Sequence, residues 1–226
     1  MGIEMKRTQT GYAATGACVD IEFMVLGPVQ TNTYIISDGT STIVVDPAAE
    51  ARRILKAVGN RKVDAIFCTH HHSDHVGALK ELRAVTGAPV YASAIDAPVI
   101  RNQPADTWPA ASSAEVDKTV KDKDIVTVGN MRWKVIATPG HTPGGICFFL
   151  ESQYGNHIER FNVLAAGDTL FAGSIGRTDF EGGDDKAMRA SLKRLSQLPD
   201  DTLVLPGHNS LTTIGTEQRR VFAYFC

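Results

Sequence analysis

The stretch Thr69-His70-His71-His72-Ser73-Asp74-His75 gathers four of the chain's seven histidines and a carboxylate into one short run. It follows directly on the apolar run Ala65-Ile66-Phe67-Cys68. Imidazole and carboxylate are the donors that borderline divalent cations prefer. Donors set at the mouth of a buried strand describe a preorganised metal site, where a loose His-rich tract would describe a solvated tail.

Three other apolar runs end on a donor of the same kind. Trp133-Lys134-Val135-Ile136-Ala137 leads through Thr138-Pro139-Gly140 to His141. Val163-Leu164-Ala165-Ala166-Gly167 leads to Asp168, and Thr202-Leu203-Val204-Leu205-Pro206-Gly207 leads to His208. Short apolar runs bounded by Gly and Pro read as buried strands. Glycine before a donor lets the backbone turn sharply and approach another atom closely. Four strand ends with four sets of donors imply one shared rim.

The remaining elements form a scaffold for that rim. Strands are expected at Ile21 to Leu26, Thr33 to Ser37 and Thr42 to Val45, with Asp38-Gly39 as a hairpin turn. A helix is expected from Asp46-Pro47 to Val58, with Ala51, Ile54, Leu55 and Val58 on one face and Gly59 past its end. After the strand Val63 to Cys68, a helix is expected from Asp74 to Thr86, stopped by Gly87. Asn102 to Ala114, with Pro104, Trp108 and Pro109, reads as a loop. The second half repeats the pattern with strands at 125–128, 131–137, 146–150 and 163–166. A helix near Asp185 to Leu198, a strand at 203–205 and a short helix from Thr213 to Arg220 complete it. Strands then helix then strand in each half suggest two helix-backed sheets packed face to face.

Composition narrows the function. The chain has 226 residues, 43% hydrophobic and 21% charged, with a net charge of −2 and its Lys and Arg scattered. This profile suits a globular catalytic domain over residues 20–226 and gives no electrostatic footprint for nucleic acid or an anionic membrane. Residues 1–19 are expected as an N-terminal extension, either disordered or an extra edge segment. No run is long enough to span a bilayer, and Thr8 to Gly16 is too polar for a signal core, so the cytoplasm is the expected compartment. Cys18, Cys68, Cys147 and Cys226 have no CxxC spacing, and Cys68 and Cys147 are expected as buried thiols.

His70-x-His72-x-Asp74-His75 with His141, Asp168 and His208 resembles the metallo-β-lactamase superfamily of metal-dependent hydrolases, over about Phe23 to Glu217. Gly167-Asp168-Thr169-Leu170-Phe171, Gly176-Arg177-Thr178-Asp179 and Leu205-Pro206-Gly207-His208 are similar to the short bacterial members of the hydroxyacylglutathione hydrolase (glyoxalase type two) group. The resemblance implies a four-layer αβ/βα sandwich, α/β in class, with two divalent ions at the edge between its sheets. It assigns His70, His72 and His141 to one ion, Asp74, His75 and His208 to the other, and Asp168 as the bridge. Zinc is the first expectation; iron and manganese suit the same donors. Asp46 either orients a ligand imidazole from behind or caps a helix before Pro47. His71 sits at the variable position of the motif, and His157 reads as a turn residue.

The implied reaction is cleavage of a small-molecule 2-hydroxyacyl (glutathione-type) thioester by a hydroxide shared between the ions, with Asp74 and Asp168 as catalytic carboxylates. Aspartate at 168 departs from the thiolate-bearing site of many true β-lactamases. Glutathione thioesterases of the family carry a helical C-terminal domain that contacts glutathione, whereas here only residues 209–226 follow His208. Arg177 either holds a substrate carboxylate or pairs with Asp179. Phe171 and Ile175 are expected along the cleft, and Trp108 over the substrate. Two other functions fit less well: a mononuclear iron persulfide dioxygenase using His70, His141 and Asp168, and a non-catalytic metal-binding protein. Oligomeric state is not legible.

Overall fold

The computed structural model describes residues 5–7, 12–15, 19–104, 106–150 and 162–226; Cys18 and His157 lie outside them. Two sheets dominate. The first has eight strands in chain order: Met5–Arg7, Tyr12–Thr15, Asp20–Leu26, Thr31–Ser37, Thr42–Val45, Val63–Phe67, Val90–Ser93 and Lys118–Val120. Its pairing is antiparallel as far as Thr42–Val45 and parallel from there on. The second runs, by position, Thr212–Thr213, Leu203–Pro206, Val163–Gly167, Ile146–Leu150, Met131–Ala137 and Ile125–Val128.

Alternation along each strand divides the apolar side chains among three cores. Tyr34, Ile36, Ile43, Val45 and Phe67 from the first sheet meet Trp133, Val135, Phe148, Ala165 and Leu205 from the second. The opposite face of the first sheet, through Ile35, Val44 and Ile66, packs on the helices Ala51–Val58, Leu79–Thr86 and Ala97–Arg101. The opposite face of the second, through Cys147, Leu164 and Val204, packs on Asp185–Leu195 and the segment 214–222. Successive side chains point to opposite faces, so strands that are apolar at consecutive positions need cover on both. The outcome is the four-layer αβ/βα sandwich, with Cys68 and Cys147 as buried thiols.

Strand direction places the donors. Thr42–Val45 and Val63–Phe67 run parallel. Met131–Ala137 and Val163–Gly167 are each antiparallel to Ile146–Leu150, and Leu203–Pro206 is parallel to Val163–Gly167. All five therefore reach the same edge of the sandwich at their C-terminal ends, the position where open α/β sheets place their sites. Backbone hydrogen bonds that join the sheets there include Ile146 N to Thr69 O at 3.0 Å and Asn32 N to Gly207 O at 2.7 Å.

Several elements differ from the sequence reading. The helix expected from Asp46 begins only at Ala51. Asp46 has φ 47°, and a residue before proline is sterically disfavoured in the right-handed helical region. The helix expected over Asp74 to Thr86 is broken into Ser73–Val76 and Leu79–Thr86, because Ala78 N leaves the helical ladder to bond Pro47 O at 2.9 Å. The C-terminal helix is divided into Ile214–Glu217, a π-helical turn Gln218–Phe222, and Ala223–Phe225. No helix among the described residues is long and apolar enough to cross a membrane.

Phe67 lies at the centre of the inter-sheet core: its ring stacks on Phe148 at 4.3 Å and meets Trp133 edge-on at 5.8 Å. Phe67→Ala is expected to cost about 3–5 kcal/mol in urea unfolding, against a change within about 0.5 kcal/mol for exposed Val85→Ala. Equal effects of the two substitutions would contradict this packing.

Candidate metal centre

Asp46 is buried, and its carboxylate faces the His-rich loop. Oδ1 accepts from Thr69 N and Oδ2 from Thr69 Oγ1, both at 2.7 Å, while His75 Nδ1 lies 2.9 Å from Oδ2. A helix cap is therefore not its role, since the helix begins at Ala51. The bond to Nδ1 leaves His75 Nε2 facing the centre. The tautomer of His141 is set in the same way, with Nδ1 2.6 Å from the Arg177 carbonyl. Such hydrogen bonds on the far ring nitrogen orient a ligand imidazole and raise its basicity.

The donors form two sets. His70, His72 and His141 converge within 4.8 Å of one another, as do Asp74, His75 and His208. Asp168 lies between them: Oδ1 is 3.2 Å from His75 Nε2, and Oδ2 is 3.4 Å from both His141 Nε2 and His208 Nε2. Thr31 Oγ1 donates to Asp74 Oδ2 at 2.8 Å and holds that carboxylate toward His208, 3.3 Å away. The seven side chains named from sequence thus meet in one place. His75 itself lies against three carboxylates, those of Asp46, Asp74 and Asp168.

Backbone geometry permits this crowding. Gly167 has φ 48°, and a Cβ there would collide with the Thr69 hydroxyl. A Cβ on Gly207 would collide with Asp168 Oδ1. Asn32 Nδ2 and the Tyr34 hydroxyl both donate to Pro206 O, at 3.0 and 2.6 Å, and anchor the turn before His208.

The donor set fits divalent cations. His70 Nε2, His75 Nε2 and Asp168 Oδ1 are buried without a hydrogen-bond partner. Buried polar atoms are normally satisfied, so three convergent exceptions mark a place for a charged ligand. His72 Nδ1 and His141 Nε2 face each other at 2.9 Å.

Without metal, the two sets carry different charge. Burial, reinforced by neighbouring imidazoles, pushes His70 well below its usual range and His72 down to about 3; burial likewise lowers His141. On the other side burial is outweighed by carboxylates. Asp168 and Asp74 raise His75 well above its usual range and lift His208 to about 9. The same contacts overcome burial to hold Asp74 and Asp168 below the usual carboxylate range. One set is thus three neutral imidazoles; the other pairs imidazolium with carboxylate.

The other residues named from sequence occupy the surroundings. His71 turns away, with N and Nδ1 each 3.0 Å from Asp96 Oδ2. The Arg177 guanidinium is exposed and bonds Asp179 twice, at 2.9 and 2.7 Å, the internal pair rather than a free anion clamp. Phe171 is buried with its ring 5.8 Å from that of His208, and Trp108 stands 73% exposed above Asp74 and His72 in a shared cleft. Thr31, Thr69, Asp96 and the Arg177 carbonyl were not anticipated. Asp96 is buried and ties the His-rich loop to the His141 loop, accepting from His71 N and from Thr142 Oγ1 at 2.9 Å.

Comparison with known proteins agrees with the architecture. The family model described as Metallo-beta-lactamase superfamily matches residues 26–208. An uncharacterized protein of Aquifex aeolicus (strain VF5) is 39% identical, over 88% of this chain and 93% of its own. Hydroxyacylglutathione hydrolase GloC of Haemophilus influenzae is 29% identical, over 89% of this chain and 96% of its own. Among solved structures, the B3 metallo-beta-lactamase BLEG-1 aligns with TM-score 0.79 at 30% identity, covering 89% of this chain and 98% of that one. TTHA1623 in a di-iron-bound form aligns with TM-score 0.74 at 35% identity, covering 88% and 97%. ETHE1 from Myxococcus xanthus aligns with TM-score 0.71 at 31% identity, covering 88% and 82%.

Two outcomes are expected. Asp46→Ala leaves His75 Nδ1 and Thr69 N without their acceptor, so affinity of the Asp74, His75 and His208 set should fall roughly 10- to 100-fold in chelator competition; unchanged affinity would contradict the orienting role. Filling that set must also expel protons from His75 and His208. Its affinity should therefore rise with pH at least through about 9, the value for His208, because His75 is held well above its usual range as well. The neutral imidazole set should bind without comparable proton release at neutral pH, as read by calorimetry in buffers of different ionisation enthalpy.

Proposed function

Since the chain belongs to the metallo-β-lactamase superfamily, we propose that it is a dinuclear metal-dependent thioesterase acting on a small 2-hydroxyacyl thioester. The supporting observation is the pair of complete donor sets sharing Asp168 at one strand edge. A mononuclear site using only His70, His141 and Asp168 would leave Asp74, His75 and His208 gathered around nothing. The likeness to GloC, named as a hydroxyacylglutathione hydrolase, favours thioester cleavage. The likeness to TTHA1623, described in a di-iron-bound form, keeps iron beside zinc as the metal.

Divalent ions held by these residues supply the chemistry of water activation near neutral pH and of carbonyl polarisation. The chain contributes their placement. Asp168 ties the two sets together, and its burial removes competing water. The Asp46–Thr69 bonds and the Arg177 carbonyl hold His75 and His141 in the tautomers that present Nε2. Thr31 holds Asp74 in its rotamer, so that it faces the centre with one oxygen. A thiol leaving group is acidic enough to depart as thiolate, so no side chain needs to protonate it.

Metal-loaded protein should contain two ions per chain and hydrolyse a lactoyl thioester. Asp168→Ala should lose the second ion and at least roughly 100-fold in kcat/KM, about 2.7 kcal/mol of transition-state stabilisation. One iron per chain with oxygen uptake on a persulfide would instead support the dioxygenase. Loaded protein without turnover of any thioester, lactone or persulfide would support a non-catalytic role.

A further inference from the structure

Beside the donor sets lies a cleft of about 430 Å³ lined by His71, His72, Asp74, Val99, Gln103, Pro104, Trp108, Phe180 and Glu181, among others. Its character is apolar and acidic. Trp108 is 73% exposed, Phe180 44% and Val99 37%, an unusual concentration of bare apolar surface at one place. Asp74 at its inner end belongs to the donor set, so Glu181 is its one carboxylate outside that set, and among the described residues no Lys or Arg lines it. The guanidinium of Arg177 sits over the outer Phe180 ring at 4.3 Å, but is engaged by Asp179 through two bonds. Two further cavities open at the centre, one against His208 and one against Thr31 and Asp74, and among the described residues neither is lined by Lys or Arg.

From this lining we infer that the cleft between Trp108 and Phe180 receives the thiol arm of the substrate, and that it selects an arm that is apolar and free of carboxylates. The inference rests on the thioesterase reading and narrows it to a thiol carrier unlike glutathione. A carboxylate-bearing thiol would bring negative charge beside Glu181, and among the described residues no Lys or Arg lines the cleft to receive it. Like charges at short range repel, and the repulsion weakens with salt. A neutral aliphatic arm would instead cover the Trp108 and Phe180 rings, which gain most from losing water.

Binding and turnover separate the two claims. The chain has two tryptophans, of which Trp133 is buried, so a ligand in this cleft should quench chiefly Trp108 fluorescence. With metal-loaded protein, S-propyl-N-acetylcysteamine should bind more tightly than S-propylglutathione by roughly threefold or more, the scale of an exposed charge contact. The difference should narrow in about 0.5 M salt, where the screening length is short. Glu181→Lys should narrow it too, and Trp108→Phe should abolish the quench while preserving the preference in turnover. The lactoyl ester of N-acetylcysteamine should show the same preference in kcat/KM over S-lactoylglutathione. Equal or tighter binding of the glutathione thioether, or a kcat/KM favouring its ester, would overturn the inference. Preferential binding of the neutral thioether with neither ester turned over would overturn the thioesterase reading while leaving the cleft's selectivity intact.

Discussion

Both oxygens of the Asp46 carboxylate are engaged by the His-rich loop, and the rest of the centre depends on that contact. Asp46 receives Thr69 N, Thr69 Oγ1 and His75 Nδ1, and its own N–H donates to Phe67 O at 2.8 Å. A buried carboxylate is costly unless its oxygens are paired in this way. Paired as it is, it locks the end of one parallel strand to the loop leaving the next. The Thr69 carbonyl then bonds Ile146 N, which carries the constraint across to the second sheet. The position of His75 toward Asp168 follows from two sheets being fastened at one edge.

A consequence is an uneven electrostatic field within a few ångströms. Three imidazoles on one side are kept neutral by burial, the form that can donate a lone pair at once. On the other side two imidazoles are held protonated by Asp74 and Asp168. Such pairing stabilises a buried cluster in the absence of cations, since charges there need partners. The two sets therefore differ in their competition with protons although their donor atoms are of the same kinds. Outside the centre the adjoining cleft presents Glu181 and aromatic rings rather than a basic clamp.

Much of this was legible in the sequence where signals are local. His70 to His75 follow an apolar run, and His141, Asp168 and His208 each follow a strand signal and a glycine, so their meeting at one edge could be read before any coordinates. The order of strand and helix runs suggested two helix-backed sheets, and the family resemblance implied the four-layer architecture. The supporting contacts were not legible. Thr31, Thr69 and Asp96 are ordinary strand or loop residues until partners far along the chain are in place, and Arg177 serves through a backbone carbonyl that has no residue signature. Asp46 was readable as two things, a helix cap or an orienting carboxylate, and the delayed start of the helix at Ala51 decides between them. The break near Gly77 escaped periodicity because its cause, the bond from Ala78 N to Pro47 O, is tertiary.

The central claim is that one carboxylate, Asp168, joins two cation sites. Diffraction from metal-loaded crystals, recorded on either side of the metal's absorption edge, tests it most directly. The account predicts two anomalous peaks about 3.5–4 Å apart, one ligated by His70, His72 and His141, the other by Asp74, His75 and His208, with Asp168 bound to both. A single peak at full loading, or two peaks of which Asp168 touches neither or only one, would contradict it.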